Sequence, residues 1–117
     1  MFLSDEKRNG KNMEYLTLTD IKDQLRIEQE FTDEDKILTL YGESAENTIA
    51  QYLNRGKNAT EMVANLTEQY GDIPKPIIQA TLMLVDSSYQ HRSPSSPQNM
   101  YYVLYGFDML VKPYMIL

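Results

Sequence analysis

One stretch limits the possible folds more than any other: the twenty residues IPKPIIQATLMLVDSSYQHR at 73–92. It opens with Pro74 and Pro76, and the first turn of a helix tolerates proline because its missing N–H would have no partner there. The apolar residues that follow have few polar breaks, which is typical of a helix packed inside a bundle. The run is too short for a membrane span, and Asp86 interrupts it. The stretch predicts an all-α fold, a small bundle of four to five helices around a buried central helix at about residues 74–91.

Two further helices are predicted upstream of this stretch. The sequence TLTD at 17–20 fits a capping box, and apolar residues at helical spacing then predict a short helix from Thr17 to about Ile27. The sequence TDED at 32–35 repeats that signature before a longer apolar stripe. This second helix is predicted to end at 54–56, with Gly56 as the left-handed cap. Gly42 inside it costs about 1 kcal/mol relative to Ala and predicts a close approach of two helices.

The remaining elements have weaker signals. Residues 57–72 are polar and fit either a short helix over Thr60–Tyr70 closed by Gly71, or a loop. After a break rich in proline and serine, Phe107–Lys112 predicts a last short helix stopped by Pro113.

Length and the polar start of the chain indicate one domain. The 117 residues suffice for a single hydrophobic core. Residues 1–12 show no hydrophobic periodicity and are predicted to form a flexible arm, and residues 13–117 to form a single helical domain. The start also lacks the apolar segment of a signal peptide, which favours an intracellular product.

Negative charge is concentrated in one part of the sequence. The chain has a net charge of −6, and residues 28–46, with seven acids and only Lys36 to balance them, hold all of it. No basic patch remains to bind phosphates tightly, so a dedicated nucleic-acid-binding function is disfavoured.

The residue types that usually support catalysis or metal binding are scarce. The chain has no cysteine and one histidine, His91, which cannot build a zinc site or a hydrolytic triad alone. The acids at 28–35 lack the ligand spacing and glycine of an EF-hand loop, and carboxylates in the first turn of a helix suit its dipole. We therefore predict no enzymatic activity, no metal and no cofactor.

Aromatic and apolar residues are enriched near the C-terminus. Tyr101, Tyr102 and Tyr105 could stack on nucleic-acid bases, but such sites normally lie in a cationic groove. Packing in the core, or a contact between subunits, fits these tyrosines better. The apolar end at 114–117 also favours a contact with another subunit, because it has no charge after Lys112.

The order of these pieces resembles a known family. A capped short helix, LTLTDIKDQLRI, precedes an acidic turn and the long helix ILTLYGESAENTIAQYLNR. A variable insert, the proline-started helix at 73–92, a Pro/Ser loop and the closing segment YGFDMLVKPY follow. Over about residues 13–114, this arrangement is similar to the head–tail connector (adaptor) family of long-tailed double-stranded-DNA phages and prophages.

The resemblance implies a structural virion protein at the neck of the particle, made in the cytoplasm of the bacterial host. Such connectors form a ring of identical subunits between the portal protein and a head-closure or tail-side protein, and they extend the DNA channel. DNA would then be a passing, weakly contacted cargo, for which a neutral or acidic wall is suitable. No contact with a membrane is expected. The alternative is a helical protein-interaction adaptor outside virions that uses the acidic face at 28–46.

Two groups of residues are candidates for contacts in such an assembly. The acidic turn is predicted to line the channel or face a partner, through Glu28, Glu30, Asp33 and Glu34. The C-terminal aromatic and apolar residues are predicted to contact another subunit, through Tyr101, Tyr102, Tyr105, Tyr114, Met115, Ile116 and Leu117.

Overall fold

The computed structural model describes residues 13–90 and 108–116. Residues 108–111 are helical and lead into a 3₁₀ turn at Lys112–Tyr114. No strand occurs in these two ranges, so the all-α prediction is confirmed. The longer helices are α1 at Leu18–Leu25, α2 at Asp35–Leu53, α3 at Ala59–Tyr70 and α4 at Lys75–Gln90.

Helix α1 begins with the predicted capping box. The Thr17 hydroxyl accepts a hydrogen bond from the Asp20 N–H at 3.1 Å, and the Asp20 carboxylate accepts one from the Thr17 N–H at 3.3 Å. Two backbone donors at the start of the helix are satisfied in this way. The helix ends at Leu25, because Arg26 adopts a left-handed conformation with φ of 62°.

Both predicted ends of α2 were wrong in detail. Its N-cap is Glu34, which makes no capping hydrogen bond, so the second capping box does not form. The reason is that the Glu34 and Asp35 carboxylates bind other side chains. At the other end Asn54, not Gly56, is the left-handed cap, with φ of 58°, and asparagine tolerates this conformation better than most residues. Gly56 has φ of 151° two residues later.

Residues 57–72 contain helix α3. The sequence of this stretch is compatible with either a helix or a loop. The Asn58 side chain accepts a hydrogen bond from the Glu61 N–H at 3.0 Å and so caps the start of the helix. Gly71 closes the end in a left-handed conformation, with φ of 87°. Met62 and Leu66 are fully buried and fix the inner face of α3.

Helices α2 and α4 form the centre of the bundle. Helix α2 packs against α1, α3 and α4, and α4 packs against α2 and α1. One core cluster joins α2, α3 and α4 and includes Ile49 and Ile77, whereas the other includes Leu38 and Val85 and lies on the side of α1. Helix α4 contributes to both clusters, which accounts for its long apolar run.

Gly42 lies at the predicted close approach. A Cβ atom at this position would lie 3.1 Å from Ile21 Cδ1 of α1 and would overlap Met13 Sδ. The missing side chain therefore lets both α1 and the chain segment before it reach the surface of α2.

The C-terminal part of the prediction needs one correction. Residues 108–111 are helical, as predicted. Pro113 does not end the helical structure, however, because it lies inside the 3₁₀ turn that follows. Proline fits the first positions of such a turn, where no N–H is required. Phe107 and the predicted arm at 1–12 lie outside the described residues.

Candidate functional site

Among the residues that the structure describes, three charged side chains are buried, and each holds a segment that lies outside the four long helices. Lys22 is 3% exposed, Glu46 is 1% exposed and Arg55 is 6% exposed. Buried charges require partners, because an unpaired charge away from water is strongly destabilising. The partners of these three residues lie in the acidic turn, the segment at 13–16 and the C-terminal segment at 114–116.

The acidic turn lies between α1 and α2. Glu28, Glu30 and Asp33 are exposed, as expected for a surface that faces a channel or a partner. Glu34 is half-buried instead, and its carboxylate accepts a hydrogen bond of 2.8 Å from the Tyr89 hydroxyl on α4. Of the four carboxylates predicted to face a channel or a partner, only those of Glu28, Glu30 and Asp33 are therefore exposed.

Lys22 holds the acidic turn from inside. Its ammonium group donates hydrogen bonds to the backbone carbonyls of Gln29, at 3.0 Å, and Phe31, at 2.8 Å. The same nitrogen lies 2.8 Å from the Asp35 carboxylate. One cation thus fixes both the turn and the first residue of α2.

Substitution of Lys22 by methionine should lower the free energy of unfolding by about 2 kcal/mol, because it leaves two carbonyls and a partly buried carboxylate without their cation. Methionine matches the length of the lysine stem, so packing is retained. Urea unfolding followed by circular dichroism measures the change. The matched control, Lys36→Met, alters an exposed lysine on α2 and should change the free energy of unfolding by less than about 0.5 kcal/mol.

Glu46 points into the protein and not outward with the other acids. One of its oxygens accepts a hydrogen bond from the Glu14 N–H at 2.7 Å, and the other accepts from the N–H groups of Tyr15 and Leu16, both at 2.9 Å. Burial raises the pKa of Glu46, and the three N–H donors partly oppose this effect. The acidic stretch at 28–46 is therefore not one continuous acidic face.

The segment at 13–16 is also fastened to α4. The Tyr15 hydroxyl lies 2.7 Å from the Thr81 hydroxyl, which in turn donates to the Ile77 carbonyl at 2.7 Å. Burial raises the pKa of Tyr15, so the phenol remains protonated. Met13 and Leu16 are buried in the core beside α1 and α2.

The C-terminal segment packs over the end of α2. The Ile116 N–H donates to the Leu53 carbonyl at 2.9 Å, and the Asn54 side chain donates to the Ile116 carbonyl at 3.3 Å. Arg55 Nε donates to the Tyr114 carbonyl at 2.6 Å. These bonds use the backbone of the segment, so part of the Ile116 side chain remains exposed to solvent.

Arg55 also joins the C-terminal segment to α3. Its guanidinium donates hydrogen bonds to the side chains of Asn65 and, at 2.9 Å, Gln69. It lies 5.7 Å from the centre of the Tyr70 ring, a distance that permits a cation–π interaction. The Tyr70 ring meets Tyr114 edge to face, with centroids 5.5 Å apart. Tyr114, Met115 and Ile116 are therefore brought together, whereas Tyr101, Tyr102, Tyr105 and Leu117 lie outside the described residues.

Sequence reasoning missed the roles of Lys22, Glu46 and Arg55. Two of them had a usable signal. Glu46 follows Gly42 by four residues and precedes Ile49 by three, which places a carboxylate on the core side of α2. Lys22 likewise shares a helix face with the apolar Leu18 and Leu25. Arg55 lies just beyond a helix, where periodicity gives no information.

Two kinds of site are absent from the described residues. In the two ranges that the structure describes, no group of three or more His, Cys, Asp or Glu side chains is arranged to hold a metal ion. His91 lies outside these ranges. Within them, no helix combines the length and apolar character needed to cross a bilayer.

Comparison with known proteins identifies one family. The family model described as "Phage gp6-like head-tail connector protein" matches residues 15–114. The matched range includes all four long helices, the acidic turn and the 3₁₀ turn. No curated protein and no solved structure matches the chain.

Proposed function

Because the chain belongs to the family of phage gp6-like head–tail connector proteins, we propose that it forms a ring between the portal protein and a head-closure or tail-side protein. Its family has a structural role in head–tail joining and contacts other virion proteins. In the proposed ring, located at the virion neck, the subunits surround and lengthen the channel through which DNA passes. The protein acts by assembly, and we propose no catalytic step for it.

The observation that carries this proposal is the family match across nearly the whole organised chain. The charge of the protein supports it. With a net charge of −6 and exposed carboxylates at the acidic turn, the surface does not favour tight binding of phosphates. A channel wall of this kind lets DNA slide without holding it.

Electron microscopy of the purified protein mixed with purified portal protein tests the proposal. We expect negatively stained portal particles to gain an additional ring, and the mixture to sediment faster than the portal alone. Portal particles of unchanged length and sedimentation, at a large excess of this protein, would contradict the proposal. The portal serves as a template in this experiment, so a monomeric protein in solution is compatible with the proposal.

The C-terminal segment is proposed as one contact of the assembled protein. Ile116→Glu should reduce the amount of protein bound to the portal at least tenfold, because it places a carboxylate in an apolar contact and removes about 1.4 kcal/mol or more of binding free energy. The backbone bonds of Ile116 are kept, so the variant should remain folded. Cosedimentation with the portal measures binding.

The control for this variant is Ala64→Glu, which adds the same charge to an exposed position on α3. It should bind the portal like the wild type. If Ile116→Glu also binds normally, the C-terminal segment is not a contact, although the rest of the chain could still assemble.

The acidic turn is proposed to face the channel. Reversal of its three exposed charges, in the variant Glu28→Lys/Glu30→Lys/Asp33→Lys, should slow DNA ejection several-fold at low salt, because lysines bind passing phosphates. The effect should weaken at higher salt concentration, as counterion release requires. Fluorescence of a DNA-binding dye measures ejection from particles that carry the variant.

A neutral variant separates charge reversal from loss of the carboxylates. Glu28→Gln/Glu30→Gln/Asp33→Asn should eject DNA at close to the normal rate. An unchanged ejection rate in the lysine variant would show that the acidic turn does not line the channel, and would favour a contact between the turn and a protein partner.

A further inference from the structure

Exposed apolar side chains are not spread evenly over the protein. Among the described residues, six large hydrophobic side chains are exposed to solvent: Phe31, Leu40, Tyr52, Tyr70, Met109 and Ile116. Four of the six lie at one end of the bundle, and exposed apolar side chains that cluster in this way often mark contact surfaces. Phe31 lies outside this cluster, in the acidic turn before the opposite end of α2.

The four clustered side chains, called here the α2 end patch, surround the last turn of α2: Tyr52, Tyr70, Met109 and Ile116. The Tyr52 hydroxyl donates to the carboxylate of Asp108, which precedes Met109. The Ile116 N–H donates to the carbonyl of the last residue of α2, at 2.9 Å. The Tyr70 ring meets the C-terminal segment edge to face. Contacts within the subunit therefore hold the patch together.

The patch includes an open depression beside Met109. It has a volume of about 540 Å³ and is lined by Asp108, Met109, Lys112 and Pro113. Met109 is 68% exposed, and Lys112 is exposed as well. The depression thus combines a thioether and a proline ring with an exposed cation. Because methionine sulfur makes favourable contacts with aromatic rings, an aromatic side chain flanked by negative charge fits this surface.

Phe31 presents such a side chain at the other end of α2. Its ring is 43% exposed, and the exposed Glu30 precedes it in the chain. The backbone of Phe31 is fixed on both sides, because its N–H donates to the Glu28 carbonyl at 3.0 Å and its carbonyl accepts from the Lys22 ammonium at 2.8 Å. Binding through this ring therefore requires little additional ordering of the turn.

A second copy of this chain supplies both members of this pair. From Asp35 to Tyr52, α2 rises about 25 Å, so Phe31 is too far from the depression of its own subunit to enter it. Contacts in a ring are heterologous, so each subunit must offer two different surfaces. We propose that Phe31 of one subunit inserts into the depression at Met109 of the next subunit. The inference rests on the proposed function and goes further by naming the two surfaces that meet.

The charges around the α2 end patch permit this contact. Two exposed lysines, Lys57 and Lys112, are balanced by two exposed acids, Glu68 and Asp72. The patch therefore has no excess of negative charge to repel the acidic turn, and Lys112 lies in the depression itself. Charges at the rim of a contact act mainly on the approach of the two partners, whereas the apolar centre holds them together. The carboxylates of the turn can thus face the channel while Phe31 contacts the neighbour.

An exchange of charges across the contact tests this pairing. Phe31→Arg should meet Lys112 of the neighbour, and Met109→Glu should meet the acidic turn, so each should reduce ring assembly on the portal at least tenfold in sedimentation and electron microscopy. Both positions are exposed, so each monomer should keep its urea unfolding midpoint. The combined variant Phe31→Arg/Met109→Glu brings opposite charges together and should recover most of the assembly.

The control for these variants is Gln79→Glu, which adds a carboxylate to an exposed position on α4 and should assemble like the wild type. If Phe31→Arg assembles poorly and Met109→Glu does not rescue it, Phe31 contacts the portal and not a second copy. That result would overturn the inference.

Disulfide cross-linking provides a second measurement, because the chain has no cysteine of its own. In Phe31→Cys/Met109→Cys the two thiols lie at opposite ends of α2, beyond the Cα separation of about 7 Å that a disulfide spans, so a disulfide must join two subunits. Oxidised rings should give dimers, trimers and larger multimers on a non-reducing gel, whereas Phe31→Cys/Gln79→Cys should remain monomeric. Rings of the first variant without these multimers would overturn the inference alone. A wild type that forms no rings would overturn the proposed function and the inference with it.

Discussion

Glu46→Ala should lower the free energy of unfolding by about 4 kcal/mol, which is the largest effect that we expect from a single substitution in this chain. The carboxylate is buried and accepts hydrogen bonds from three consecutive N–H groups, at residues 14–16. Alanine leaves all three donors without this acceptor and opens a cavity between α2 and the segment before α1. Urea unfolding at neutral pH measures the loss.

Glu46→Gln separates the shape of the side chain from its acceptor capacity. Glutamine retains one oxygen, which can accept from Tyr15 and Leu16, but its amide nitrogen opposes the Glu14 N–H. We therefore expect a loss of about 1–2 kcal/mol, smaller than that of the alanine variant. Equal losses in the two variants would mean that the volume of the side chain matters and its hydrogen bonds do not.

The wild type and Glu46→Gln should differ in how their free energy of unfolding depends on pH. Burial raises the pKa of Glu46 in the folded state above its ordinary value of 4.5, so between these two pKa values the folded protein binds more protons than the unfolded protein. The stabilisation that comes from protonated Glu46 is complete below pH 4.5 and is lost as pH rises through the folded pKa. The free energy of unfolding of the wild type minus that of Glu46→Gln should therefore fall with rising pH and then level off. A difference that increases with pH would show that the N–H donors outweigh burial.

Arg55→Ala should lower the free energy of unfolding by about 3 kcal/mol and should also release the C-terminal segment. The guanidinium bonds to the Tyr114 carbonyl and to the side chains of Asn65 and Gln69. Its removal leaves these acceptors without a donor and deprives the Tyr70 ring of its cation. Urea unfolding measures the stability, and hydrogen exchange at Met115 and Ile116 measures release of the segment.

Arg55→Lys is the control for charge. Lysine keeps the positive charge but lacks the planar fork that reaches several acceptors in fixed directions, so about half of the loss should remain, on the order of 1–2 kcal/mol. Protection of the Ile116 N–H should fall in both variants. Full protection of that N–H in Arg55→Ala would show that its bond to the Leu53 carbonyl holds the segment without help from the arginine.

The helices could be predicted from the sequence because their signals are local. The capping box before α1, the apolar stripe of α2 and the proline-started run of α4 each lie within a few turns of one helix. One detail that failed, the start of α2, depends on a residue of another helix. The capping box before α2 does not form because Asp35 pairs with Lys22, and Lys22 is placed there by the packing of α1.

The contact surfaces could be predicted only in part, for the same reason. Exposure of Glu28, Glu30 and Asp33 follows from a polar turn between two helices. Burial of Glu46 depends instead on three N–H groups that lie about thirty residues earlier in the chain. No count of charges along the sequence separates an exposed acid from one that holds a distant segment. The sequence therefore predicts one continuous acidic face, whereas the structure buries Glu46.

The hydrogen bonds between the end of α2 and residues 114–116 have a consequence for synthesis of the protein. The ribosome releases the chain from its N-terminus, so α2 emerges well before the residues that cover its last turn. Until residues 114–116 have left the ribosome, Arg55 has no Tyr114 carbonyl to bind and the Leu53 carbonyl has no Ile116 N–H. The nascent chain can form its early helices, but the native arrangement closes only after these later residues have emerged.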